Sequence, residues 1–328
     1  MNVLVTGGAG YIGSHTVRAL LDDGHHVVVL DERPPPAGGA LHAARYVQGN
    51  IADTFLMTQL LVDHHVDGVV HFAAYKSVGE SMREPERYFR NNVAGTISVL
   101  EAMARTKTRS MVFSSTCAVY GTPERCPVDE STPIRPESPY GASKAIIEQM
   151  LEWFTRIHGF RYVALRYFNA AGASLDAKLG EDWDESTMLI PALIKATLRR
   201  REPVEIFGTD YPTPDGTAIR DFVHVLDLSD AHLLALRYVA DGGDSQVLNL
   251  GTGTGNSVLD VIEMTRRVTG RDVPVRFVGR RPGDATAIWA DAARARRSIG
   301  WGPRYGLKEI VETAWRWHSA HVQHRGNA

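Results

Sequence analysis

The sequence predicts an α/β protein, a doubly wound parallel sheet joined to a smaller mixed α/β unit, and three features carry that expectation. Short apolar strands alternate with amphipathic helices through the first half. A glycine-rich turn links the first strand to the first helix. Beyond about residue 170 the rhythm gives way to longer irregular stretches, at 182–184 and 211–217, between helices and short strands. We therefore divide the chain of 328 residues at 1–170 and 171–328, with some later segments returning to the first sheet.

The first strand, Val3-Leu4-Val5-Thr6, runs into Gly7-Gly8-Ala9-Gly10-Tyr11-Ile12-Gly13. Glycines at 7, 10 and 13 allow a tight turn, close approach of backbone to a pyrophosphate, and close packing of helix on strand. The helix expected over 11–23 offers free N–H groups to the anion. This pattern implies a Rossmann-type dinucleotide floor. The second strand, His26-Val27-Val28-Val29-Leu30, ends at Asp31, 18 residues past Gly13. A carboxylate there accepts hydrogen bonds from the adenosine ribose and repels an added phosphate, which selects NAD over NADP, although Arg33 pulls weakly the other way. Residues 34–39, with three consecutive prolines, predict a surface loop.

Further strands are expected at 68–72, 110–114 and 162–166. In such sheets the ligand lies at the carboxyl ends, so the loops 72–76, 114–120 and 167–172 should line one cleft. In the second half, a helix over 257–269 has a serine cap, and 307–321 reads as an amphipathic helix in which Trp315 and Trp317 pack. Arg199-Arg200-Arg201 ends a helical pattern, where cations suit the dipole. Residues 324–328 are expected to be disordered, and the pairs His25-His26 and His64-His65 to lie on the surface.

The net charge of −2 provides no field to gather nucleic acid or anionic membrane, so neither is expected as a partner. Two cysteines, Cys117 and Cys126, lack metal-ligand spacing, so no metal is expected. Together with the absence of a leader or a membrane-length apolar run, they imply a soluble, cytoplasmic protein.

Tyr140-Gly141-Ala142-Ser143-Lys144 carries the chemistry. The four-residue interval puts phenol and ammonium on one helical face. A phenol is a poor base at its ordinary pKa near 10, but an adjacent cation favours the phenolate. Thr116, ending the preceding strand, adds a hydroxyl directed at the same substrate oxygen. A tyrosine that merely begins a helix after Pro139 is the plain alternative, and the upstream glycines weigh against it.

These residues identify the chain as resembling the extended short-chain dehydrogenase/reductase family, and within it the UDP-glucose (UDP-galactose) 4-epimerase subgroup. The likeness runs through nearly the whole chain, including His71-Phe72-Ala73-Ala74-Tyr75-Lys76-Ser77-Val78-Gly79, Arg166-Tyr167-Phe168-Asn169, Phe207-Gly208-Thr209-Asp210-Tyr211-Pro212-Thr213-Pro214-Asp215-Gly216-Thr217, Arg220-Asp221-Phe222-Val223-His224 and Arg280-Arg281-Pro282-Gly283-Asp284. The resemblance implies NAD-dependent inversion at carbon 4 of a UDP-hexose through a 4-keto intermediate. Tyr140 would be the base, with Lys144 and Thr116 assisting. It places Asn50 and Ile51 beside the adenine, and Phe72, Ala73, Ala74, Lys76, Asn91, Ser114 and Tyr167 along the cofactor. Lys76, Asn169, Leu189, Phe207, Arg220, Arg281 and Asp284 fall to the substrate, with the arginines on phosphate and Phe207 against uracil. A homodimer is expected through helices near 87–104 and 142–158.

Several positions depart from the subgroup's common pattern. Residues 34–36 replace an asparagine-containing loop, Asn50 stands for a frequent aspartate, and Met188 stands for asparagine or histidine. Ile288 is intermediate where size is associated with room for an N-acetyl group. UDP-GlcNAc and UDP-glucuronate 4-epimerases are therefore near alternatives. A 4,6-dehydratase needs an acid and base pair after Thr116, where this chain has Cys117 and Ala118. A non-catalytic NAD-binding protein would have no need of Tyr140, Lys144 and Thr116.

Overall fold

The structure, a computed structural model, describes residues 1–35, 41–182, 186, 188–199, 202–281 and 284–325. Seven parallel strands form the large sheet: β1 (Asn2–Thr6), β2 (His26–Asp31), β3 (Arg45–Gln48), β4 (Gly68–His71), β5 (Ser110–Ser114), β6 (Arg161–Tyr167) and, after a long excursion, one from the second half at Gln246–Leu250. Among the described residues, three small sheets hold the remaining strands, β7 (Asn169–Ala171), β8 (Val204–Phe207), β9 (Ile219–Arg220), β10 (Phe222–His224), β12 (Asn256–Ser257), β13 (Val275–Val278) and β14 (Ala287–Ile288), so that Gln246–Leu250 is β11. The order of the large sheet is β11-β6-β5-β4-β1-β2-β3.

Alternation along each strand explains why the sheet is covered on both faces. Val3 and Val5 enter one core cluster, and Leu4 the other. On β5 Val112 faces the first cluster while Met111 and Phe113 face the second; on β6 Val163 and Leu165 oppose Tyr162 and Ala164. Each such burial contributes about 1.5–3 kcal/mol, and a one-residue slip would reverse them all. A third cluster lies in the second half, where Leu193, Ile194, Val261, Ile262, Ile310 and Val311 join three helices.

Strand order reverses between β1 and β4, the switch point at which open α/β sheets form their crevice. The register matches Thr6 with Leu30 and with His71, and Ser114 with Leu165, so the strands end together at one edge.

The helix Tyr11–Asp22 and the capped helix Val258–Thr269 follow expectation, the latter with a reciprocal Ser257–Asp260 capping box. Three readings differ. The last helix, Leu307–Arg325, includes His324 and Arg325, which were expected to be disordered; continuing an amphipathic helix leaves fewer backbone groups unpaired than stopping it. His25 is not a surface side chain, being 9% exposed and paired with Asp23 at 2.9 Å. Strand β3 lies beside β2 where no strand had been expected. Residues 36–40, Arg200, Arg201 and 326–328, on which other expectations fell, lie outside the described residues. Among the described residues no helix is long and apolar enough to cross a membrane, and no group of three His, Cys, Asp or Glu could hold a metal.

Candidate active site

The glycine loop is built from backbone contacts that exclude side chains. Gly7 has φ +75°, and a Cβ there would lie 2.6 Å from the Ala73 nitrogen; one at Gly13 would lie 2.3 Å from the Gly7 oxygen. The Gly7 N–H donates to the Leu30 oxygen, and the Phe72 and Ala73 N–H groups donate to the Thr6 oxygen, so the β1 and β4 loops meet at the switch point. Ile12 is half-buried behind Tyr11, whose hydroxyl donates to the Gly172 oxygen at 2.6 Å and ties the loop to the second half.

Asp31 does two local jobs at the end of β2. Its Oδ2 accepts the Ala9 N–H at 2.9 Å and its Oδ1 the Arg33 N–H at 3.0 Å. Each carboxylate oxygen keeps a second acceptor site, so holding the loop and receiving a ribose are compatible. Asn50 is exposed, with Oδ1 accepting from the Ala52 N–H at 2.7 Å and Nδ2 donating to Glu32 at 2.5 Å. Ile51 is buried against Gly95. Ala73 and Ala74 are partly exposed on the β4 loop, while Phe72 packs on His232, with ring centroids 4.5 Å apart. Lys76 is exposed and lies 3.7 Å from the buried carboxylate of Glu181. Asn91 donates to the Asn92 side chain.

Tyr140 and Lys144 occupy the first two turns of the helix Pro139–His158, which starts cleanly because Ser138 caps the Gly141 N–H and Pro139 sits at its first position. Both are buried. Lys144 Nζ donates to the Ser114 oxygen at 2.9 Å and stands 4.8 Å from the centre of the Phe113 ring. The Thr116 side chain stands close enough to Tyr140 to favour its phenolate, and the Ser114 and Tyr167 hydroxyls share a hydrogen bond of 2.7 Å.

Electrostatics here depart from the simple expectation that Lys144 alone makes the phenol a base. Among protein groups, burial dominates and pushes the Tyr140 hydroxyl well above its usual range, with Tyr167 adding to the rise and Thr116 opposing it. Burial likewise draws the Lys144 ammonium down to about 7, against the pull of Glu148. A phenolate in this pocket requires a further positive charge.

A second group lies on the far side of the cleft. Arg281 forks onto Asp284 at 3.0 and 3.2 Å and stacks 5.2 Å over the Phe207 ring. Arg220, one-fifth exposed, approaches the same Asp284 at 4.0 Å and donates to its neighbour's carbonyl. Phe207, Arg220, Arg281 and Asp284, scattered over 78 positions (284 − 207 = 77 intervals), thus meet in space. Asn169 begins β7 with its N–H on the Asp221 oxygen, and Leu189 begins a helix, half-buried on the third core. Met188 is exposed, while Ile288 is buried, paired in register with Arg220.

Sequence reasoning missed three contributors. Asn92, fully buried, accepts the Tyr75 N–H and donates to the Tyr75 oxygen and the Ser143 hydroxyl, so it pins the β4 loop to the Tyr140 helix. It lies in an irregular helical turn, Phe89–Ala94, that no pattern forecasts. His232 packs under Phe72 and Tyr167. Glu148 was legible in principle, one turn beyond Lys144 on the same face.

A family model described as the NAD dependent epimerase/dehydratase family matches residues 3–251. The UDP-glucose 4-epimerase of Halalkalibacterium halodurans is 46% identical over 98% of this chain and 96% of its own length. Among solved structures, the UDP-glucose-4-epimerase from Stenotrophomonas maltophila with bound NAD and formylated UDP-arabinopyranose is 40% identical, with a TM-score of 0.95 over 99% of both chains. The Brucella ovis UDP-glucose 4-epimerase in complex with NAD is 44% identical, with a TM-score of 0.93 over 96% of this chain and 97% of that one.

Proposed function

Because this chain belongs to the NAD dependent epimerase/dehydratase family, alongside relatives that are UDP-glucose 4-epimerases, we propose that it interconverts UDP-glucose and UDP-galactose by inverting carbon 4, with NAD as resident cofactor. The observation that carries this reading is the meeting of Tyr140, Lys144 and Thr116 at the carboxyl edge of the sheet beside the glycine loop.

The residues fit a dinucleotide. The glycine cradle leaves no room for a side chain at Gly7 or Gly13, and Gly7, Gly10, Tyr11, Ile12 and Gly13 would receive the pyrophosphate on backbone N–H groups. Asp31 would hold the adenosine ribose, Asn50 and Ile51 the adenine, and Phe72, Ala73, Ala74, Lys76, Asn91, Ser114 and Tyr167 the rest. When bound, NAD would supply a reversible hydride acceptor for carbon 4 and the positive charge of its oxidised ring. Tyr140 takes the proton of the 4-hydroxyl and later restores it to the inverted alcohol. Thr116 stabilises the phenolate by its hydrogen bond, and Lys144 by its charge. The 4-keto sugar must turn over between the two transfers, so the hexose is held loosely and the nucleotide tightly. Arg220 and Arg281 suit the diphosphate, with Asp284 orienting them; Phe207 suits the uracil, and Asn169 and Leu189 flank the same substrate. Ala118, at the second position of the turn after Thr116, has no transferable proton, which disfavours dehydration.

Residues 1–170 serve the dinucleotide and 171–328 mainly the UDP-sugar, apart from β11. Homodimerisation through the helices Gly95–Thr106 and Pro139–His158 is supported by their exposed Ile97, Ile146, Trp153 and Ile157, and sedimentation showing only monomer would count against it. The site in this reading is cytoplasmic, as nucleotide-sugar chemistry without disulfides suits. Purified protein should carry NAD and convert UDP-galactose without added cofactor, followed by NMR of the sugar ring. The same panel includes UDP-GlcNAc and UDP-glucuronate; no epimerised product from any of the three would defeat the proposal, and preference for either of the latter would redirect it.

A further inference from the structure

Ser114, which ends β5, and the two residues after it meet three residues spaced one turn apart on the helix Pro139–His158. Thr116 stands close to Tyr140 and favours its phenolate. Ser114 presents its carbonyl oxygen to Lys144 Nζ at 2.9 Å. Between them Ser115 donates its hydroxyl to Glu148 Oε1 at 2.5 Å. Tyr140, Lys144 and Glu148 stand at intervals of four, so they share one helical face. The third member of this ladder takes no part in the proposed proton transfer.

Glu148 is held from the other side by β6. Arg166 donates Nε to both carboxylate oxygens at 3.0 and 3.2 Å and adds a further hydrogen bond from a terminal nitrogen. Its other terminal nitrogen donates to the Tyr120 hydroxyl at 2.9 Å, which donates to the Asn249 side chain on β11 at 2.7 Å. Tyr120 ends the short turn Cys117–Tyr120 that Thr116 begins. The Glu148 and Arg166 side chains are 8% and 7% exposed. A buried ion pair is costly to desolvate and is a poor device for stability alone, yet here it grips the Thr116 segment at both ends and the tyrosine helix at once.

We propose that Glu148, locked by Arg166 and Ser115, is a positioning residue for the reaction: one turn beyond Lys144 on the same buried helical face, it offsets the Lys144 charge and holds the Thr116 segment against the Tyr140 helix. This rests on the reading of Tyr140 and Lys144 as the acid–base pair. Among the described residues, Glu148 and His71 are the titratable groups that interact electrostatically with Lys144, and Glu148 is the sole anion in the surrounding set. Tyr140 is on its own helix, the buried His71 is on β4 with its pKa pushed down to about 3, and Tyr167 and Arg166 are on β6. Cys117 follows Thr116, its thiol pushed up to about 12 by burial. Loss of the Glu148 charge makes the pocket more positive, which eases loss of a proton from both Lys144 and Tyr140.

The test is the pH dependence of kcat for the NAD-loaded enzyme with UDP-galactose. Glu148→Gln should move both limbs of the profile toward acid by about one pH unit, while Glu148→Asp, which keeps the charge, should restore the limbs. Should the single variant not accumulate because Arg166 is left unpaired, Glu148→Gln with Arg166→Met leaves no charge stranded and should show a smaller shift in the same direction. A lowered kcat with unmoved limbs would make the pair merely structural and overturn the proposal, as would an unchanged enzyme. Tyr140→Phe measured alongside separates the two readings. Full activity there sinks the acid–base assignment itself, whereas loss there with an unshifted Glu148→Gln profile sinks only the positioning role.

Discussion

The two sides of the cleft are built on opposite principles. At the sheet edge, Tyr140, Lys144 and Glu148 are buried and interlocked with the Ser114-Ser115-Thr116 run. At the far side, Arg281 is 61% exposed and shares Asp284 with Arg220. A group that must transfer a proton benefits from fixed geometry and low dielectric. A group that must receive a diphosphate can instead wait in water, paired with a local carboxylate, and exchange that partner for the ligand at little cost. The difference teaches that rigidity is spent on the chemistry, while charge on a partly solvated rim handles capture.

Acid should act first on the buried histidines: His71 on β4, His232 under Phe72, His15 on the helix Tyr11–Asp22 and His224 on β10. Burial pushes the pKa of His15 and His232 down to about 4, and that of His71 and His224 down to about 3. All four stay neutral in the folded protein while the unfolded chain takes up protons below about 6.5. Stability is therefore full above pH 6.5 and is lost as pH falls toward 4. The slope is about 1.4 kcal/mol per histidine per unit, roughly 5 kcal/mol between pH 6 and 5 for the four together. Urea titrations at those two pH values measure it, and equal midpoints would break the picture of a neutral buried set.

Tyr140→Phe should lower kcat by about a thousandfold, some 4 kcal/mol, with bound NAD and melting temperature unchanged. Stopped turnover by NMR reads this directly, and a loss below tenfold would remove the phenol from the chemistry. Arg220→Met, on the other side, should raise KM by roughly thirtyfold, about 2 kcal/mol, and spare kcat. A comparable fall in kcat would mean that the rim contributes to the transition state and that the contrast is too sharp. The smallest effect is expected at Arg281→Met, whose exposure limits it to about 1 kcal/mol or less, a few-fold in KM. A larger effect than at Arg220 would reverse the ranking of the two arginines.

Much of this was legible residue by residue. Gly7, Gly10 and Gly13 announce the turn by their spacing, and the positive φ of Gly7 and the contact of Gly13 with the Gly7 oxygen are local backbone constraints that a larger residue would violate. The Tyr140 and Lys144 interval is legible because one helical turn is a property of the chain itself. Asp31 was foreseen as a ribose acceptor, but its bonds to Ala9 and Arg33 were not, since they depend on how β2 ends against the loop. Glu148 could be read from its spacing, though not its lock on Arg166 from another strand.

The sequence by itself thus determined the elements governed by short periods: alternating strands, capped helices, the glycine turn and the spacing of phenol and ammonium. Tertiary structure alone decided the parallel order with its reversal between β1 and β4. It alone brought Phe207, Arg220, Arg281 and Asp284 together, and its burial alone raised the Tyr140 pKa and lowered that of Lys144. The physical reason is that desolvation and long-range contact belong to the packed assembly of segments, whereas periodicity and backbone sterics are already written in each segment.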